Sequence, residues 1–242
     1  MALVLVTGAS SGIGLLAARG LAAAGHDVVV HARTADRLPV DLARAGELLG
    51  DLADADAVAD VAAGAQRFGR FDAVIHNAGV IDGPDVFAVN VAAPYLLAAA
   101  MTPPERTIVI SSSMHRSGSA DLSGLDLAHP DRRARPYDDS KLFVTALALH
   151  LACTRPDGLA HAVDPGWVPT RIGGSHAPDD LREGSRTQQW LATAPAEEIS
   201  PRTGGYWFHR RIQEPHPAAT DPTFQRDLIA LLAAQTGVAL TD

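Results

Sequence analysis

Five short runs in this 242-residue chain are apolar on nearly every residue: LVLVTG at 3–8, DVVVHA at 27–32, AVIHNAG at 73–79, TIVISSS at 107–113 and LAHAVDPG at 159–166. A sheet with one wet face would alternate apolar and polar residues, so unbroken runs mark strands covered on both faces. The Ala/Leu-rich segments between them, about 12–25, 54–67, 86–101 and 137–153, carry helical spacing. Strand and helix by turns predict an α/β fold with a doubly wound parallel sheet. GELLGD at 46–51 fits one further short strand.

From about residue 168 the pattern gives way to Pro, Gly and charge, with one helical island around Gln188 to Ala192. This segment, about 168–202, is expected to be a substrate lid and not a second domain. TGGYWFHRR at 203–211 reads as a last strand, and PTFQRDLIALLAAQTG at 222–237 as a closing helix with Gly237 at its end. The expectation is a single domain over 1–242 with a C-terminal lid, for which an apolar fraction of 47% supplies ample core.

A net charge of −8 argues against a nucleic-acid or anionic-membrane partner, because both need clustered Lys and Arg. The N-terminal apolar run has no basic residue before it and glycines after it, which suits a first strand and not a signal peptide. No stretch of 18 or more apolar residues could span a membrane. The single cysteine, Cys153, cannot form an internal disulfide and is expected to pack within its helix. These features predict a cytoplasmic protein. The ten histidines lack H-x-x-x-H and H-x-x-E-H spacing, so no metal site is expected.

TGASSGIG at 7–14 joins the first strand to the first helix. Gly8 permits the tight turn, Gly12 lets the backbone approach a diphosphate, Gly14 allows helix and strand to pack closely, and the helix N-terminus offers unpaired N–H groups to an anion. Its place after the first strand makes it a dinucleotide-binding turn in a Rossmann-type fold. Folds of this kind that prefer NAD carry an acidic residue at the end of the second strand, and that carboxylate would repel a 2′-phosphate. Here Ala32 stands there, followed by Arg33, whose guanidinium can grip the phosphate and stack on adenine. NADP(H) is the expected cofactor; the blander reading makes Arg33 a solvated loop cation.

RPYDDSKLFV at 135–144 places Tyr137 and Lys141 at i and i+4, neighbours on one helix face. A free phenol titrates near pH 10, but an ammonium one turn away, aided by a positive nicotinamide, brings it toward working pH. Asp138 and Asp139 fall in the first turn, where acidic residues complement the helix dipole, and point away from the Tyr137 face. SSSMH at 111–115 ends a buried strand, where α/β folds expose their chemistry.

Taken in order, T-G-x-x-x-G-x-G at 7–14, GDLAD at 50–54, NAG at 77–79, VN at 89–90, SS at 111–112, YDDSK at 137–141 and DPGWVPT at 164–170 span nearly the whole chain. In these motifs the chain resembles the short-chain dehydrogenase/reductases. The resemblance implies that Ser112, with Ser113 as the alternative, hydrogen-bonds the substrate oxygen, that Tyr137 exchanges its proton, and that Lys141 also meets the nicotinamide ribose. It implies that Asn90 holds a water leading from Lys141 to solvent. For the cofactor it implies Gly8, Ser10, Ser11, Gly12, Ile13 and Gly14 at the phosphates, Asp51 and Leu52 at adenine, and Asn77, Ala78 and Gly79 nearby. Pro165, Gly166, Val168 and Thr170 would flank the nicotinamide. Met114, His115, Trp167 and Trp190 are candidates for the substrate pocket, with Trp167 turned either to substrate or to the lid.

The segment between Ser112 and Tyr137 is longer than in compact members, and with SSSMH it resembles retinol-dehydrogenase-like and related NADP-preferring reductases; this insertion, 113–136, would line the pocket. The links from Arg33 to Asp51 and from NAG to Asn90 are short, which shortens or removes a helix on that side. The apolar circumference of helices 86–101 and 137–153 suggests that part of each packs against another subunit; the resemblance implies that they do so in a four-helix interface, hence a homodimer or homotetramer. The function expected is hydride transfer between nicotinamide C4 and a carbonyl or alcohol carbon of a small or medium apolar substrate. A sensor of NADP(H) without turnover, and an isomerase or lyase on the same fold, are the alternatives.

Overall fold

The computed structural model describes residues 1–155 and 157–240; position 156 and the last two positions of the expected domain lie outside the described residues. One sheet runs through the protein. Its strands are β1 (Leu3–Val6), β2 (Asp27–Ala32), β3 (Gly46–Leu49), β4 (Ala73–His76), β5 (Arg106–Ile110), β6 (Leu159–Asp164), β7 (Tyr206–Phe208) and β8 (Arg211–Gln213), in the order 3-2-1-4-5-6-7-8. Every pairing is parallel except the last, β7 with β8. The helices are α1 (Gly12–Ala23), α2 (Ala55–Gln66), α3 (Ala93–Ala100), α4 (Pro136–Thr154), α5 (Glu183–Thr193), α6 (Pro217–Thr220) and α7 (Pro222–Thr236), with a π-helical turn at Ala88–Ala92 leading into α3. The short link after β2 has lost its helix: only a 3-10 turn at Ala35–Arg37 remains, and Leu38 and Leu42 fill the space.

Alternation along β1 shows why both faces had to be apolar. Val4 and Val6 meet Leu21 of α1 and Leu191 of α5, while Leu5 meets Val58 and Val61 of α2 and Leu97 of α3 on the other side. The strand order reverses between β1 and β4, and the crevice at that reversal, beyond the strand C-termini, is where such sheets bind ligands.

Four expectations need correction. Of the segment expected as a lid, only its first part reaches the pocket; α5 lies flat on the sheet beside α1. Its buried face is made of Gly184, Ser185, Thr187 and Gln188 as well as Leu191 and Ala192, so it lacks an apolar signature. The last strand is instead a hairpin, β7 to β8, turned by His209 and Arg210 at φ 47° and 59°, residues seldom found in a two-residue turn that Asn and Gly favour. Cys153 is exposed near the end of α4.

The fourth concerns α3 and α4, whose apolar faces are covered by this same chain. Leu122, Leu125 and Leu127 of the insertion, with Ala219, Phe224, Leu228 and Leu232 of α6 and α7, pack on α4. Tyr95 of α3, fully buried, donates its hydroxyl to the Val238 carbonyl at 2.7 Å. The all-round apolar character that pointed to a subunit interface therefore has an intramolecular cause. Asp138 and Asp139, both buried, do more than face the helix dipole. Asp139 accepts from Arg133 Nε and from the Ser119 N–H, each at 2.7 Å, and so fastens the insertion to α4. Asp138 lies 3.7 Å from the Arg135 guanidinium. Among the described residues no helix is long and apolar enough to cross a membrane.

Candidate active site

A cavity of about 1000 Å³ opens beyond the C-terminal ends of β1, β4, β5 and β6. Its floor is the glycine loop. Gly8 sits at φ 65°, and a Cβ there would stand 2.8 Å from the Ala78 Cα, so the loop passes the end of β4 only because residue 8 has no side chain. Asn77 ties the two together, donating from Nδ2 to the Thr7 carbonyl at 2.9 Å and to the Gly8 carbonyl at 3.3 Å. The α1 N-cap, Ser11, makes no side-chain cap bond, and the first turn holds no acidic residue. Its N–H groups thus stay available to a phosphate. Glycine cradle, open helix end and cavity fit a dinucleotide.

One member of this floor is not evident from the sequence. His31, buried within β2, accepts the Gly8 N–H on Nδ1 at 3.2 Å and donates from Nε2 to the Gly50 carbonyl at 3.0 Å. Those bonds hold it in one neutral tautomer, and burial lowers its pKa, opposed by its bond to Gly50 and by Asp51. A lone polar residue inside the run DVVVHA was the available signal. At the same end Arg33 and Arg37 both line the cavity; Arg33 stands 3.8 Å from Asp51, the pair half-exposed, above the buried Leu52.

At the other end the three residues of the proposed chemistry meet. Tyr137 and Lys141 share a face of α4, with the ammonium 5.5 Å from the centre of the phenol ring. Lys141 is buried and donates to the Ile110 carbonyl at 2.9 Å; burial pushes its pKa down to about 8, with Asp164 pulling the other way. Burial pushes the Tyr137 phenol up to about 12, against a hydrogen bond from the Ser112 side chain that lowers it. The three serines are thereby distinguished. Ser111 is bonded to Thr145 at 2.6 Å, Ser112 reaches Tyr137, and Ser113 is exposed on the cavity wall.

Pro165, Gly166, Trp167, Val168 and Thr170 form the wall opposite the glycine loop. A Cβ on Gly12 would touch Thr170 Cγ2 at 3.3 Å, so this wall closes directly over the loop. Trp167 faces the cavity mouth, 59% exposed, its indole N–H bonded to the Gly173 carbonyl at 2.8 Å. Met114 also lines the mouth, together with Ile81, Ile172 and Leu181, isolated apolar residues in loops that no periodicity singles out.

Three expected residues stand outside the cavity lining. His115 is fully buried, bonding the Ser112 carbonyl from Nδ1 at 2.7 Å and accepting the His216 N–H on Nε2 at 2.9 Å; it shapes the serine loop and cannot touch substrate. Trp190 packs edge-on to Trp207, 5.2 Å between ring centres, under α5. Asn90 lies in the π-turn, its amide bonded to both main-chain groups of Val80 at 2.9 Å and to Ser140 Oγ at 3.0 Å. It holds the 79–80 wall from behind, and a Cβ on Gly79 would fall 3.3 Å from its oxygen and 3.6 Å from the Lys141 ammonium.

A family model described as short chain dehydrogenase matches residues 2–121. Short-chain dehydrogenase chyC of Penicillium rubens is 33% identical over 258 residues, covering 99% of each chain. Dehydrogenase/reductase SDR family member 13 of Bos taurus is 32% identical over 260 residues, 90% of this chain and 68% of its own. The crystal structure of an uncharacterized protein from Mycobacterium paratuberculosis shares the fold, with a TM-score of 0.78 at 22% identity over 100% of this chain and 96% of that one.

Proposed function

Since the chain belongs to the short-chain dehydrogenase/reductase family and so to the oxidoreductases, we propose that it is an NADP(H)-dependent enzyme interconverting a carbonyl and an alcohol on a small or medium apolar molecule. The observation that carries this reading is the meeting of Ser112, Tyr137 and Lys141 at one end of a cavity whose other end is the glycine loop. When bound, the nicotinamide cofactor supplies or takes the hydride. The chain's own residues handle the oxygen and its proton.

Ser112 orients the carbonyl and stabilises the charge that develops on it. Tyr137, with its phenol at about 12, is protonated at neutral pH and suited to donate to the oxygen as the hydride arrives at carbon. Lys141 carries a cation beside the phenol and favours its ionised form once the proton has gone. Arg33 and Arg37 supply positive charge where the 2′-phosphate of NADP(H) would lie; because cellular NADP pools are held largely reduced, reduction is the direction inferred in a cell. Wild type and Tyr137→Phe are to be compared with NADPH and NADH over ketones, aldehydes and quinones. NADPH-dependent reduction that is lost in the variant is the expected result; undiminished turnover without the phenol overturns the mechanism.

A further inference from the structure

His31 stands at a place in β2 where the core asks only for an apolar side chain. It is 2% exposed and shares its sheet face with Val29, which packs with Leu52, Val58 and Val61. Its contacts are nevertheless polar and reach the ends of both neighbouring strands. The His31 carbonyl accepts the Ala9 N–H at 2.9 Å and Nδ1 accepts the Gly8 N–H at 3.2 Å, so two consecutive amides of the glycine loop hang on one residue. On the other edge of the ring Nε2 donates at 3.0 Å to the carbonyl of Gly50, the residue before Asp51. Asn77 takes hold of Gly8 from the β4 side, donating to its carbonyl at 3.3 Å. The Gly8 peptide groups are thus gripped at the N–H from β2 and at the C=O from the end of β4.

We propose that His31 is a positioning residue for the cofactor: its neutral ring braces the phosphate-binding loop against the adenine end of the site and lets the loop go when Nδ1 takes a proton. The inference rests on the dinucleotide site of the proposed function. A neutral imidazole carries one acceptor and one donor on separate edges, which is what the Gly8 N–H and the Gly50 carbonyl require. An imidazolium donates from both edges and meets the Gly8 N–H donor to donor. The charged groups around the ring are Asp51, half-exposed and 3.8 Å from Arg33, and Arg37 on the cavity wall. Strand β1 and the loop from Gly8 to Gly14 carry no ionisable side chain. Helix α2 meets this face with Val58 and Val61, and its N-cap Asp54 is engaged by the Asp56 and Ala57 amides. Burial lowers the ring's pKa, against the bond to Gly50 and the charge of Asp51, so the brace is intact at neutral pH and yields at some point below 6.5. The sign of that dependence separates a brace from a histidine that touches phosphate. A ring in contact with the diphosphate would bind it more tightly once protonated, whereas a brace binds it less tightly.

ADP-ribose, which has adenine and diphosphate but neither 2′-phosphate nor nicotinamide, is the probe. Its affinity for the full chain is to be measured by titration calorimetry in wild type, His31→Leu and His31→Asn from neutral pH downward. Asparagine offers an amide oxygen where Nδ1 stands and does not titrate. At neutral pH the leucine variant is expected to bind roughly tenfold more weakly, and asparagine to recover most of that loss. Nitrogen-15 shifts of the histidine rings, with His31 assigned by its absence from the variants, report when the ring takes its proton. At that pH wild type is expected to fall toward the leucine variant while the asparagine variant does not. Wild-type affinity in a folded leucine variant overturns the proposal, and so does wild-type affinity that stays level or rises as the ring is protonated. Should the leucine variant not fold, the wild-type ring decides. It is expected to keep its proton on Nε2 when ADP-ribose binds, and a ring that gains a proton on Nδ1 at that moment overturns the brace. NADPH turnover is scored separately. A wild type that binds neither ADP-ribose nor NADPH sinks the cofactor reading and the brace together, whereas an active reductase whose binding ignores residue 31 sinks the brace alone.

Discussion

Arg133 and Asp139 form an ion pair 2.7 Å long whose side chains are 11% and 3% exposed, and it pins the segment before the Tyr137 helix onto that helix. Arg133 also donates to the Asp121 carbonyl at 2.9 Å, so one guanidinium holds both ends of the insertion's inner turn. Removing one partner of a buried pair leaves the other charge without compensation and typically costs about 3–5 kcal/mol. Arg133→Ala is expected to lose stability of that order in urea titrations. Its KM for carbonyl substrates is expected to rise more than its kcat falls, because the insertion borders the pocket and not the reacting atoms. A variant as stable as wild type would show that the insertion needs no such anchor.

Gly8 is the backbone position least open to change. An alanine there would keep φ near 65° at a cost of about 1–2 kcal/mol and drive its methyl into Ala78. Gly8→Ala is expected to fold, with a lower melting temperature, and to bind NADPH at least tenfold more weakly by fluorescence titration. The loop would have to retreat from β4 to make room. Wild-type affinity in this variant would remove the loop from the cofactor site.

Arg33 and Asp51 are half-exposed at 3.8 Å, a pair that adds little to stability. Arg33→Ala is therefore expected to leave the melt unchanged while weakening NADPH about tenfold to a hundredfold and NADH hardly at all, the loss of a charge-assisted phosphate contact. Arg37→Ala should act in the same sense. Equal losses for both cofactors would mean that Arg33 stacks on adenine without reading the phosphate.

What could be read from the sequence followed physical contrast. β1, β2, β4, β5 and β6 stand out because both of their faces are apolar, and the glycine loop because few residue types can make that turn. Tyr137 and Lys141 were visible because helical spacing puts i and i+4 together. By contrast α5 buries serine, threonine and glutamine, and a helix whose hidden face is polar leaves no periodic trace. His115 next to SSS looked like a pocket residue, yet its two ring nitrogens are taken by the Ser112 carbonyl and the His216 N–H. The latter partner lies a hundred or so positions away in sequence, a distance no local pattern spans. For the same reason the cover over α4, supplied by the insertion and the C-terminal helices, read as a missing subunit.

Phe224 carries that cover. It lies 6.2 Å, ring centre to ring centre, from Phe143 of α4, which stacks in turn on Phe87 at 6.0 Å. Phe224→Ala opens a cavity over α4 and is expected to cost about 3–5 kcal/mol. Its melt should not depend on protein concentration, as it would if a partner subunit protected the same face. A concentration-dependent wild-type melt with an undisturbed Phe224→Ala protein would restore the dimer through α3 and α4.

Three of the four buried histidines set the acid limit of the fold. Burial is the main cause that lowers His76, His115 and His161 from 6.5 to about 4. In the unfolded chain each takes a proton near 6.5, so between that value and about 4 the unfolded state holds more protons than the folded one. Stability from these groups is accordingly complete above 6.5 and drains away as pH falls toward 4, the sign opposite to that of a histidine gaining a carboxylate partner. His161 shows why protonation is resisted. Its Nδ1 accepts the Trp207 indole N–H at 3.1 Å and the Gly205 N–H at 3.2 Å, leaving no room for a proton on that nitrogen. Urea midpoints are expected to fall steadily from pH 7 to pH 5, with proton uptake on unfolding; His161→Gln is expected to lower stability at pH 7 but to flatten the dependence. Midpoints that stay level over that range would mean that these rings ionise inside the folded protein.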